Sequence, residues 1–347
     1  MPLIHTPSAG AMIVWRAAQV VVLAITVVLI VGFFVQPDLA LSVLWNILIP
    51  ILPATFMITP VLWRGICPLA TLNILPNGLL GRRALTSGAL PSVGALGIVL
   101  LVVLVPARRV LFNEHGVILA VVVIAVAVAA FALGTAFDLK AGFCNAFCPV
   151  LPVEKLYGQH PLLELNNPRC GQCTLCTPKG CLDLAPSKSA LQATGSAHQS
   201  HAWLRSVYGV FAAAFPGFIV GYFNTADGAL STTGTVYLTV GLWAAGSYLL
   251  TLLLVLVLKI QAARMLAVLA TAAVGLYYWF AAPQIAETLG VADIGALIIR
   301  GAALALVSVW LWRAWPRTRR ASNGAASGHT TAGPLPSIQQ PQPATEE

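Results

Sequence analysis

Charge is what this sequence has least of: 9% of its 347 residues are Asp, Glu, Lys or Arg, against about a quarter in ordinary soluble domains. That scarcity excludes a conventional soluble globule. Nucleotide signatures are missing too, since there is neither a Walker-type loop nor a G-x-G-x-x-G turn, so flavin or nicotinamide chemistry would belong to a partner. No C-x-x-C-H haem attachment site is present. None of the six histidines falls inside a long apolar run, which argues against a b-type haem held by intramembrane histidines; no haem is expected. No cleavable signal peptide is evident, because the first apolar run is long enough to span and lacks a small-residue cleavage site after it.

What fills the chain is hydrophobic residues, 58% of the total. A spanning helix needs about 20 mostly apolar residues, because its backbone groups must be satisfied within the helix. Eight runs meet this, at roughly 15–35, 40–62, 90–107, 117–138, 204–224, 235–258, 264–283 and 292–312. Pro50, Pro53 and Pro60 make the second irregular, with a kink or break expected near the membrane surface. The expected fold is an all-α membrane protein of about eight transmembrane helices, with a small cytoplasmic loop domain between helices four and five.

The net charge of +8 reads as topology, not as affinity for nucleic acid. With the N-terminus inside, Arg16, Arg64, Arg82, Arg83, the 139–204 loop, Lys259, Arg264, Arg313, Arg317, Arg319 and Arg320 fall on the cytoplasmic side. Asp38, Asp227, Glu287 and Asp293 fall opposite, and only Arg108 and Arg109 are misplaced. Trp15, Trp63, Trp203, Trp310 and Trp312 lie near inner ends, as an interfacial aromatic belt would. The expected location is a bacterial cytoplasmic (inner) membrane, multi-pass, with both termini cytoplasmic. Four regions follow: 1–138, a membrane half with a repeated Cys-Pro phrase; 139–203, a ferredoxin-like loop; 204–315, a second membrane half; and 316–347, a polar, disordered tail.

The seven cysteines all fall in the two cytoplasmic loops of this topology. A reducing compartment disfavours a disulfide framework, and an odd count cannot pair fully. Cys170-Gly-Gln-Cys173-Thr-Leu-Cys176-Thr-Pro-Lys-Gly-Cys181 has the C-x2-C-x2-C core of bacterial cluster ligation. Zinc is the competing reading, but zinc sites usually use two separated pairs. Cys181 departs from the ferredoxin pattern, since its gap is four residues and Leu182 follows. A second phrase, Cys144-Asn145-Ala146-Phe147-Cys148-Pro149, follows the fourth run, and Trp63-Arg64-Gly65-Ile66-Cys67-Pro68 follows the second, with Trp63 at the place of the first cysteine. Each phrase ends a two-helix unit, which suggests an internal duplication. The bland alternative for Cys67 is a buried, inert side chain at a helix end.

These phrases resemble the membrane-bound polyferredoxin family typified by NapH and NosR, over about residues 40–185. The resemblance implies that Cys67, Cys144 and Cys148 are membrane-end cysteines and that Cys170, Cys173, Cys176 and Cys181 are ferredoxin-type ligands. Two [4Fe–4S] clusters require eight ligands and the chain supplies seven cysteines. One cluster is the simpler arrangement. With two, the second is [3Fe–4S] or takes a non-cysteine ligand such as Asp183, His160 or a partner's group.

The function expected is electron transfer between a cytoplasmic redox partner, a ferredoxin or flavoprotein, and the quinone pool or a membrane redox complex. Other classes are a redox-sensing transporter-like or signalling protein and an assembly factor for a respiratory oxidoreductase. His198 and His201 could ligate metal or protonate a quinone, though a solvated loop is the plainer reading. Arg300, inside the eighth run, is a functional candidate or a side chain snorkelling outward. Gly217-Phe-Ile-Val-Gly221 fits close helix packing.

Overall fold

The computed structural model describes residues 9–76, 79–80, 89–137, 140, 142–164, 186–195 and 201–326. Among them there are helices and turns and no β-strand. Seven helical segments among the described residues are long and apolar enough to cross a membrane: Met12–Val35, Pro37–Ile58, Gly94–Phe112, Gly116–Ala136, Leu230–Leu258, Ala262–Thr288 and Asp293–Pro316. The chain is an all-α, multi-pass membrane protein.

The remaining expected span, 204–224, is shorter. α10 (Val207–Phe223) has 17 residues, about 25 Å at 1.5 Å per residue. It starts sharply because the Ser206 hydroxyl accepts from Gly209 N–H at 3.0 Å, an N-cap. Twelve of its residues are buried, so it forms the middle of the bundle and needs little surface of its own against lipid. It still runs from one end of the molecule to the other. Tyr208 donates to the Pro152 carbonyl at 3.2 Å near its start, and the Tyr222 carbonyl accepts from Arg109 at 3.2 Å near its finish.

Proline decides where the first half breaks. Within the second span, α2 (Pro37–Val43) passes through a π-turn, Leu44–Leu48, into α3 (Ile49–Ile58). The extended Thr59 then separates α3 from α4 (Pro60–Ile66), and Cys67 separates α4 from α5 (Pro68–Ile74). A residue before proline is pushed out of the helical region, which puts a break at both positions. At Pro50 the gap is bridged from another helix: Tyr278 donates to the Pro50 carbonyl at 2.5 Å and accepts from Ala54 N–H at 3.2 Å.

α6 (Ala89–Ala107) runs into a second π-turn, Arg108–Phe112, and α7 (Gly116–Ala136) returns. A third π-turn, Phe143–Phe147, leads to α8 (Leu151–Tyr157), and α9 (Pro186–Ala193) follows. The second half consists of α10, α11 (Thr233–Leu258), α12 (Ala262–Thr288) and α13 (Ala292–Ala326). α13 stays helical past Pro316 to Ala326, beyond the boundary expected from composition; residues 327–347 lie outside those described.

The main core belongs to this second half, built on Trp203, Phe211, Phe215, Met265, Leu266 and Trp310. Gly217 and Gly221 let α10 lie against α11, since a Cβ at Gly217 would overlap the Trp243 carbonyl. Arg300 has a structural task. Pro283 deprives the Trp279 carbonyl of its helical donor, and Arg300 Nε donates to that oxygen at 3.0 Å while its guanidinium sits 4.7 Å from the Trp279 ring. By contrast, α1 (Ala9–Val35) buries only 6% of its most apolar window, which makes it a peripheral, lipid-facing helix.

Candidate functional site: the cysteine rim

Cys67, Cys144 and Cys148 come together at one end of the bundle. They share an apolar cluster with Ala70, Ala130, Phe143, Leu133 and Phe147. The two Cys-Pro phrases have nearly the same backbone: Cys67 has φ −53° and ψ 129°, Cys148 φ −59° and ψ 120°. Each extended residue closes one helical turn and opens the next, so each sulfur is presented at a break and not along a helix wall. This is geometric support for reading the phrases as a repeat.

The chain crosses back to this rim repeatedly. Gln19 of α1 donates to the Gly65 carbonyl at 2.7 Å, and a Cβ on Gly97 of α6 would sit 3.0 Å from the Cys148 carbonyl. From α13, Arg313 donates to the Leu162 carbonyl at 3.2 Å, and Leu162 N–H bonds the Met57 carbonyl at 3.1 Å. Both ends of the described chain therefore lie near the cysteines.

A polar clamp joins the two phrases. Arg64, three residues before Cys67, donates from Nη1 to Glu154 Oε2 at 3.0 Å and from Nη2 to Asn145 Oδ1 at 2.5 Å. Asn145 lies between Cys144 and Cys148, and Glu154 lies on α8 just beyond them. The ion pair is buried, at 3% and 4% side-chain exposure. Two charges held this far from water stay only with good geometry and further hydrogen bonds, which Asn145 supplies.

Asn73 of α5 is fully buried; its amide donates to the Ala130 carbonyl at 2.8 Å, and its Oδ1 lies 3.9 Å from Cys144 Sγ. Gly134 permits this approach, because a Cβ there would overlap the Asn73 carbonyl oxygen. Lys140 is buried as well, and its carbonyl accepts from Asn145 N–H at 3.0 Å.

Burial pushes the Cys67 thiol up to about 11 and the Cys144 thiol up to about 12, and raises Cys148 in the same way. The positive charge of Lys140 works against this at Cys67 and Cys144, and that of Arg64 at Cys144. As free thiols all three are protonated at neutral pH and are poor nucleophiles. Covalent catalysis by these cysteines is thereby disfavoured.

Among the described residues no three His, Cys, Asp or Glu side chains converge as ligands of a single ion. In a cubane each iron takes its own thiolate, so its ligands spread wider than those of one ion. Cys170, Cys173, Cys176 and Cys181 lie outside the described residues, as do Asp183 and His198. His160 is buried against Trp310, with ring centroids 5.9 Å apart, and His201 is exposed at the head of the turn Ala202–Arg205.

Sequence reasoning missed Arg64, Glu154, Asn145, Asn73 and Lys140. A usable signal existed for two of them: Arg64 and Asn145 sit inside the repeated phrases themselves. Glu154 is one of only 11 acidic residues, yet nothing local ties it to Arg64, 90 positions earlier. Set against protein-family models, curated proteins and solved structures, the chain matches none.

Proposed function

We propose that the chain is a membrane-bound iron–sulfur electron-transfer protein. In this reading it passes single electrons between a cytoplasmic ferredoxin or flavoprotein and the quinone pool or a membrane redox partner, in a bacterial inner membrane with the cysteine rim inside. The observation that carries it is the meeting of Cys67, Cys144 and Cys148 at two Cys-Pro turns of like geometry. The segment that follows holds the C-x2-C-x2-C run from Cys170 to Cys181.

The donor set suits a cluster. Three sulfurs stand in an apolar cluster, Cys144 buried and Cys67 and Cys148 part-buried, and Lys140 supplies positive charge that favours thiolates at Cys67 and Cys144, against the negative charge of Glu154. Cys170, Cys173 and Cys176 would hold one cluster together with Cys181 or a membrane-end cysteine. Cys67, Cys144 and Cys148 would hold a second or complete the first. A bound cluster supplies reversible one-electron chemistry, with a potential set by burial and hydrogen bonding at the sulfurs. The chain's own part is to fix the sulfurs at the rim, keep water out and set the local charge.

Iron and acid-labile sulfide analysis with EPR, on anaerobically purified wild type beside Cys67→Ser, tests this reading. The expected result is stoichiometric iron and sulfide with a reducible EPR signal, and a loss of iron or an altered signal in the variant. Wild-type protein without iron, sulfide and signal after anaerobic reconstitution refutes the proposal. Labelling of a cysteine introduced at Ala326, from one side of sealed vesicles, would fix the orientation.

A further inference from the structure

At the rim opposite the cysteines, the two arginines that defy the charge pattern of the sequence form a cluster with aromatic side chains. Arg109 is matched: it donates to Asp227 Oδ1 at 2.8 Å and to the Tyr222 carbonyl at 3.2 Å, with its guanidinium 4.4 Å from the Tyr222 ring. The other Asp227 oxygen accepts from Asn113 at 2.7 Å. Arg108 is not matched. Its Nε donates to Asn113 Oδ1 at 2.7 Å, and its guanidinium lies between Trp45, at 4.3 Å, and Tyr222, at 5.9 Å, with no carboxylate in ion-pair range among the described residues.

Two guanidinium groups and one carboxylate leave this cluster one positive charge in excess. Asp38 and Glu114, exposed on the same rim, pair with neither arginine. Trp45 Nε1 and Arg109 Nε are buried donors with no hydrogen-bond partner, and the buried Tyr222 hydroxyl has none of proper geometry. Buried polar atoms are rarely left this way, because each unmade bond costs stability. Two of the three segments involved are π-turns, Leu44–Leu48 and Arg108–Phe112, an irregularity frequent at functional sites.

Arg108 lies four residues from the end of its span at Phe112, about 6 Å below the rim at 1.5 Å per residue. A half-buried cation and unused donors at interfacial depth ask for an anionic oxygen acceptor that itself resides there. We propose that the Trp45–Arg108–Arg109–Tyr222 cluster binds the phosphodiester of an anionic phospholipid headgroup. Basic pockets between helices bind lipid headgroups by this chemistry. Free phosphate shares it but lacks the acyl chains that concentrate a lipid at this depth.

Native mass spectrometry of the delipidated full chain, titrated with phosphatidylglycerol, phosphatidylcholine or inorganic phosphate, tests the assignment. Phosphatidylglycerol is expected to bind in preference to the other two. Arg108→Gln should weaken it about fivefold, and Trp45→Phe, which keeps the ring and removes the donor, about threefold. Arg108→Lys should restore most of the binding, and unchanged helicity and unfolding temperature show that each variant is folded. Equal phosphatidylglycerol retention by wild type, Arg108→Gln and Trp45→Phe overturns the proposal. So does inorganic phosphate that competes at equal concentration, or a co-purified quinone that these variants lose in place of the phospholipid. The cysteines take no part in this test, so its failure leaves the iron–sulfur reading standing.

Discussion

At the cysteine rim the Arg64–Glu154 pair is sealed to 3% and 4% side-chain exposure, whereas at the opposite rim Arg109–Asp227 leaves its carboxylate 43% exposed. Both pairs join segments far apart in sequence; Arg109 lies within one π-turn, and Arg64 also bonds Asn145 of another. Their burial gives them different weights. Water and salt screen Asp227, so removing Arg109 strands little charge there, whereas removing Asp227 leaves the 9% exposed Arg109 to the Tyr222 carbonyl and ring. At the cysteine rim the partner left behind is a charge held away from water, close to the sulfurs. The pair at the cysteine rim is thus a structural clamp, while the pair at the arginine rim trims the charge of a site that keeps one cation to spare.

The largest effect should therefore come from Arg64→Met, which removes one charge of the buried pair and the hydrogen bond to Asn145. A loss of about 3–5 kcal/mol is expected, read as a fall in thermal or denaturant stability in detergent. The double variant Arg64→Met/Glu154→Gln should recover much of it, since neither charge of the pair is then left behind. If the single variant is as stable as wild type, the clamp is not sealed as described. A smaller effect at the same rim should come from Gly134→Val. Its side chain would force α7 away from the Asn73 carbonyl, at about 1–3 kcal/mol for overpacking, and should lower iron retention by displacing Asn73 and Cys144 together. Iron retention unchanged in a destabilised Gly134→Val protein would separate the packing of α5 on α7 from the sulfur site.

Sequence and structure agree where local chemistry dominates. Long apolar runs can satisfy their backbones only as helices in lipid, and the seven long spans overlap the expected runs. Of the three prolines expected to disturb the second run, Pro60 breaks it at Thr59 through the steric rule for the preceding residue, while Pro50 and Pro53 stay inside α3. The Gly217/Gly221 pair announced a close helix contact, and α11 fills it. What the sequence hid is long-range. Arg300 reads locally as an isolated intramembrane cation, but its role follows from Pro283 on a neighbouring helix. Arg64 and Glu154 are anonymous charges until α8 folds beside α4. The three π-turns have no sequence signature, and the short α10 counted as a full span because apolar composition does not record the cap at Ser206. Arg108 and Arg109 were legible only as misplaced charges; the aromatic cluster around them depends on Trp45 and Tyr222, more than 60 and 110 positions away.

The smallest effect should come from Asp227→Asn, and it is the sharpest check on the contrast between the rims. Asn keeps an oxygen for Arg109 and removes the charge, while its amide nitrogen takes the place of the oxygen that accepted from Asn113. Because the carboxylate is 43% exposed, the loss should be at most about 1 kcal/mol and should shrink further as salt is raised. The same substitution raises the excess charge of the cluster from one to two, so it should strengthen phosphatidylglycerol retention even as it weakens the fold slightly. A loss as large as that of Arg64→Met would mean that the arginine rim is sealed like the cysteine rim. Stability and lipid retention falling together would mean that Asp227 orders the cluster instead of setting its charge.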